Sequence, residues 1–351
     1  MSTGILAEAY ERLHHRGPEW GEAALTNHGP MVAEALVRRG RSGDVHRWLD
    51  GYLTRLDDLP ATHEVITSRT WPQALGDCRR IGDWTAYFIQ QVAERPWPDV
   101  LGTWWPRLLP GIVASATHGV IRVGHAVHAL LAGEDGTSGV TELAHGLAFW
   151  AARFQPVPGT AVPAGRLDPA TALDSVPRLN DQQGTVAARF ARLPHLPGWT
   201  SSVAGLRTPG VPDDARTALA DLVDGATLRY LSHGHGSPVL LVHTVTAPNA
   251  VLRTLPALPH ELWIGSLTAA WAASAALTSA YAPRRPAEPA DLPPAPTGPH
   301  ATTALIERAV AHGDEHAIKL ADAAVDVYER TGDPLTLAAA VHATRLIVPA
   351  T

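Results

Sequence analysis

The chain has 28 basic residues, and all but Lys319 are arginine. A guanidinium stays charged, whereas an amine that is removed from water can lose its proton. A neutral amine can form a Schiff base, act as a base, or take up carbon dioxide to give a carbamate whose oxygens resemble a carboxylate. His316 precedes Lys319 by three residues, which on a helix puts an imidazole beside the amine. The segment Asp314-Glu315-His316-Ala317-Ile318-Lys319 is therefore the first candidate for chemistry, with Asp314 as its helix cap.

Further candidates lie elsewhere. In the apolar stretch from Gly111 to Leu131, His118, Arg122 and His125 fall on one stripe, while His128 points away from it. Buried polar groups need partners, so such a stripe lines a polar cavity. His118 and His125 are about 10 Å apart along a helix axis, too far to share one ion; His118 reads as a ligand and His125 as a neighbouring or substrate contact. His243 sits in the apolar run Leu240–Thr246, either as a ligand or as a core histidine bonded to backbone. His28 stands at the start of a helix capped by Thr26 or Asn27, where the helix dipole favours the neutral ring.

Helical periodicity places these residues. It predicts helices over residues 1–16, 44–56, 83–94, 97–108, 111–131, 141–154, 262–281, 302–330 with a break at Gly313-Asp314, and 334–347. Weaker helical signals cover 170–192 and 213–230. Residues 236–248 read as a buried strand or a short helix, and 155–168 as loop. Residues 282–300 hold seven prolines and form a linker or a lid. No alternating strand pattern is convincing, so the expected fold is all-α, a single large multi-helix domain spanning residues 1–351 with long Pro-rich loops.

Composition narrows the partners. A net charge of -6 and a pI near 6.3 argue against nucleic acid or an anionic membrane. The lone Cys78 provides no internal disulfide. No apolar run is long enough to span a bilayer and residues 1–16 lack a signal-peptide pattern, so the expectation is a soluble cytoplasmic protein. Dinucleotide, P-loop and G-x-S-x-G fingerprints are absent, and there is no fixed repeat.

Five segments in this order, Asn27-His28-Gly29-Pro30-Met31, Trp104 to Pro110, Thr117 to Arg122 with His125-Ala126, Leu241 to Thr246, and Asp314 to Lys319, resemble the questin oxidase-like family of aromatic polyketide (anthraquinone) oxidising enzymes. The match is weakest from Gln155 to Tyr230. The resemblance implies an all-helical oxygenase that uses dioxygen to cleave, or to insert oxygen into, a polycyclic quinone or phenol. It also implies a non-haem metal, iron above all, held by His28, His118, His243, His316 and a carboxylated Lys319. Arg122 would stabilise oxyanion charge, His125 would move a proton, and tryptophans such as Trp104 and Trp105 would stack on the flat substrate. The alternatives are a metal-free Baeyer–Villiger monooxygenase that uses NADPH, and a helical protein that binds a polyketide without changing it.

Overall fold

The computed structural model describes residues 4–350. Residues 1–3 of the expected N-terminal helix lie outside the described residues. The fold is all-α, as expected: among the described residues, seventeen α-helices and one two-stranded pair, Glu19–Trp20 against Leu25–Thr26, make up the regular structure apart from short 3-10 turns. The described chain divides into two compact units, residues 1–156 with 253–259, and residues 157–252 with 260–351.

The first unit contains α1 (Ile5–Leu13), α2 (Gly29–Arg38), α3 (Ser42–Tyr52), α4 (Trp71–Ala74), α5 (Ile81–Glu94), α6 (Trp97–Leu108), α7 (His118–Leu131) and α8 (Thr137–Ala152). Its core is rich in tryptophan. Trp84, Tyr87, Phe88 and Trp104 pack edge-to-face and stacked, with ring centroids 4.9 to 5.8 Å apart, and Trp105 meets Trp150 at 5.4 Å. Trp104 and Trp105 have no exposed surface; they are core, since a buried indole contributes several times the stabilisation of a methyl-sized group. The close approach of α7 to α8 depends on Gly119, where a Cβ would come within 2.9 Å of Trp150.

The expected helix over 111–131 starts only at His118, because Ser115, Ala116 and Thr117 have φ of 47°, 54° and 77°. Three successive left-handed residues cannot continue a right-handed helix. The turn they make sets His118 as the first helical residue.

The second unit contains α9 (Pro169–Ser175), α10 (Val186–Phe190), α11 (Trp199–Ala204), α12 (Pro212–His233), α13 (Pro238–Thr254), α14 (Trp263–Tyr281), α15 (Ala301–His312), α16 (Glu315–Thr331) and α17 (Pro334–Leu346). From Pro238 on, the ambiguous segment 236–248 is helix, as part of α13; its length, not its local periodicity, distinguishes it from a strand. The expected helix over 170–192 is broken into α9 and α10 by an irregular stretch around Pro177. Small side chains on α14, among them Ala270, Ala273, Ser274 and Ala280, are fully buried and allow helices to approach closely, and Trp271 Nε1 donates to the Val203 carbonyl at 2.9 Å. Gly313 adopts φ 80° and ends α15. Asp314 then caps α16, its Oδ1 accepting from His316 N at 2.8 Å and Ala317 N at 3.1 Å. The proline-rich segment after α14 lies against the end of α12, where Ala287 N donates to the Ser232 carbonyl at 2.7 Å.

Candidate functional site

In the first unit, His28 caps α2 and His118 opens α7. Both are buried, and their Nε2 atoms lie 2.8 Å apart with the rings near perpendicular. His118 Nδ1 donates to the Ser115 carbonyl at 2.6 Å, since a carbonyl can only accept. The lone pair of His118 is thereby placed on Nε2, toward His28. Tyr52 Oη accepts from His28 N at 2.7 Å and lies 3.4 Å from His28 Nδ1. Asn27 does not cap α2 as expected; its Oδ1 accepts from Gly29 N at 2.9 Å and its amide donates to Gly17 O at 3.0 Å, which fixes the turn that presents His28.

His125 faces a carboxylate that the sequence stripe did not reveal. Its Nδ1 donates to Glu34 Oε2 at 2.6 Å, and His128 Nδ1 donates to Glu34 Oε1 at 2.7 Å. His128 therefore joins His125 on one partner, because residues three apart on a helix are neighbours. Burial pushes the Glu34 carboxyl up, but the hydrogen bonds from His125 and His128 outweigh it and hold it ionised. A single glutamate in the apolar run Pro30–Val37 was the available sign of this group.

Arg122 does not stand as an open cation. Its Nε and Nη2 donate to Glu142 Oε1 and Oε2 at 2.5 and 2.9 Å, and both side chains are almost fully buried. Around this pair lie His14, with Nε2 3.7 Å from Glu142 Oε2, and His145, stacked on His14 at 4.9 Å. Burial, followed by the Arg122 charge, lowers His14 to about 4 and drives His145 in the same direction. Burial raises the Glu142 carboxyl, an effect that Arg122 opposes. The geometry assigns Arg122 to neutralising a buried glutamate.

In the second unit, His243 of α13 and His316 of α16 stack with centroids 5.6 Å apart and planes 18° apart. Both are buried. Asp314 Oδ1 is 3.6 Å from His316 Nδ1, and Asp314, Glu315 and His316 bring ligand-type atoms within 4.8 Å of one another. One turn along α16, Lys319 is 1 % exposed and its Nζ has no hydrogen-bond partner among the described residues. Burial brings its amine down to about 8, against the opposing pull of Glu315 and Asp314. The lone lysine thus lies in the kind of environment that makes a neutral amine accessible near neutral pH.

The donor set fits a metal. Two ligand nitrogens on tetrahedral bonds of about 2.1 Å stand about 3.4 Å apart, so the His28 and His118 rings, 2.8 Å apart, would separate slightly to take an ion. His118 also has its other nitrogen tied to a carbonyl, the usual means by which a ligand imidazole is oriented. No family model matches the chain, and no curated protein matches it. No described helix is long and apolar enough to cross a membrane.

Proposed function

We propose that the chain is a metal-dependent oxygenase of the questin oxidase-like kind, acting with dioxygen on a polycyclic aromatic polyketide. The observation that carries this reading is the buried His28–His118 pair, with facing Nε2 atoms 2.8 Å apart and His118 Nδ1 anchored on Ser115 O. The five segments quoted above supply the substrate class. The buried amine of Lys319 and the His243–His316 stack supply further nitrogen donors of the same chemistry.

His28 and His118 would hold the ion, and Tyr52 orients His28. Imidazole suits iron, copper or zinc, and in the second unit a carbamate on Lys319 would present a hard anionic oxygen of the kind that favours iron. Iron, when bound, would supply Lewis acidity and one-electron chemistry toward dioxygen. Glu34 accepts from His125 Nδ1 and so fixes the orientation of the imidazole, the group we assign to moving a proton. Arg122 acts at one remove, keeping Glu142 charged and α7 fixed against α8.

The test is elemental analysis of freshly purified protein combined with aerobic incubation with an anthraquinone, without any nicotinamide. Stoichiometric iron and an oxygenated or ring-opened product are expected. Metal-free protein that turns over only with NADPH would replace this reading with the Baeyer–Villiger one, and unaltered substrate in the presence of iron would replace it with binding alone.

A further inference from the structure

In the second unit, α9 and α12 both end in a group of cations that the preceding chemistry does not use. Arg178 follows α9 and is half-buried; its Nη1 donates to the Val176 carbonyl. Arg229, on the last turns of α12, pairs with Asp174. His233 ends α12, with Nδ1 2.7 Å from Ser232 Oγ. Arg284 reaches in from the proline-rich segment, its Nη2 donating to Asn180 Oδ1, and Ala287 N on Ser232 O holds that segment in place. Neither Arg178 nor Arg284 has a carboxylate ion pair among the described residues, and the Nε atoms of Arg178 and Arg229 are buried without a hydrogen-bond partner.

The charges do not cancel. Of the three guanidiniums only Arg229 has a carboxylate partner, Asp174, among the described residues, and the two helix ends supply at most about half a negative charge each. Roughly one positive charge remains. Burial, then Arg284, lowers the pKa of Arg178; burial, then Arg229 and Arg178, lowers His233 to about 4. Burial first, and then the neighbouring cations, thus disfavour the charged form of His233. The uncancelled positive charge favours an anion, and a phosphoryl group carries about -1.5 to -2.

We propose that Arg178, Arg229, His233 and Arg284 form a binding site for a phosphoryl group, closed on one side by the proline-rich segment. Guanidiniums suit this ligand because their planar fork matches phosphate oxygens in bidentate fashion.

The experiment is calorimetric titration of the full chain with inorganic phosphate, with adenosine 5′-monophosphate, and with acetate as a monoanionic control. Expected is binding of one or both phosphates and at least tenfold weaker binding in Arg178→Gln and in Arg284→Gln. Arg216→Gln, an exposed arginine of α12 outside the group, should bind as wild type does. Tighter binding of the nucleotide identifies a phosphate ester as ligand; binding of inorganic phosphate alone identifies the free ion. Arg284 is exposed, so its variant keeps the test valid if Arg178→Gln does not fold. Equal affinity in wild type and Arg284→Gln, no binding of either phosphate, or acetate binding as tightly as phosphate would overturn the proposal.

Discussion

His28 and His118, ninety residues apart in the chain, face each other through their Nε2 atoms at 2.8 Å. Without a metal, one proton must sit between them, and the Ser115 carbonyl assigns the donor: His118 already donates from Nδ1, so His28 donates from Nε2. Metal binding displaces that proton. His28→Ala and His118→Ala should each reduce metal per chain to below about a tenth of wild type by elemental analysis, with helical circular dichroism retained. Tyr52→Phe, which removes the hydroxyl that orients His28, should weaken metal affinity by about 10- to 100-fold. The same assay on His243→Ala and His316→Ala decides whether the second pair belongs to the ligand set; full metal content in both would remove it.

Lys319 separates charge from packing. Lys319→Arg keeps a cation where none can be hydrated, and should lose metal, activity and stability. Lys319→Met removes an amine that makes no hydrogen bond, so it should lose metal yet unfold at the same denaturant concentration as wild type or higher; an unpartnered buried donor costs about 1–3 kcal/mol. Bicarbonate should stimulate protein prepared free of carbon dioxide. Full metal content and turnover in Lys319→Arg would show that the lone lysine has no part in the chemistry.

Arg122 and His125 should now behave differently from each other. Arg122→Ala strands the buried Glu142 carboxylate and should destabilise the fold by about 3–5 kcal/mol, measured by urea unfolding. Arg122→Ala combined with Glu142→Leu should recover much of that loss. His125→Ala should keep its metal and stability more nearly intact while turnover falls; loss of metal would instead make His125 a ligand.

Stability should decline in mild acid through His14. Its folded pKa, lowered to about 4 by burial and the Arg122 charge, lies below the unfolded value. The unfolded chain therefore binds the extra proton between these values, and the contribution is complete above about pH 6.5 and shrinks toward pH 4. The slope is at most about 1.4 kcal/mol per pH unit for this group, with His145 adding in the same direction. Glu142, Arg122, Tyr10, His145, His15 and Glu11 surround it. Denaturant midpoints for His14→Gln measured from pH 7 to pH 4.5 should show a shallower decline than wild type; parallel curves would rule out the assignment.

The left-handed run Ser115–Thr117 stores strain of about 1–2 kcal/mol per residue. Ala116→Gly should relieve part of it and raise thermal stability by a few degrees. Because Ser115 O anchors His118, the same change should also loosen the ligand and weaken metal affinity. A variant that is less stable than wild type would contradict the strain.

The all-helical character and most helix positions were legible from periodicity, because long amphipathic and apolar stretches such as 83–94 and 262–281 decide their own structure. The start of α7 was not, since nothing in Ser-Ala-Thr announces three positive φ angles. The ligand-type histidines were legible as lone polar groups in apolar runs. Their carboxylate partners were not: Glu34 and Glu142 belong to other helices, and only packing brings them to His125 and Arg122. His128 was misplaced because the stripe was read as a line, whereas Glu34 spans two adjacent positions.

Lys319 has one further consequence. With every other basic residue an arginine and this lysine 1 % exposed, the folded chain presents no side-chain amine to water. Acylating and cross-linking reagents that consume lysines in most proteins will find none here until α16 opens. The rate at which Lys319 is acylated is then a clock for that opening, read at a single atom.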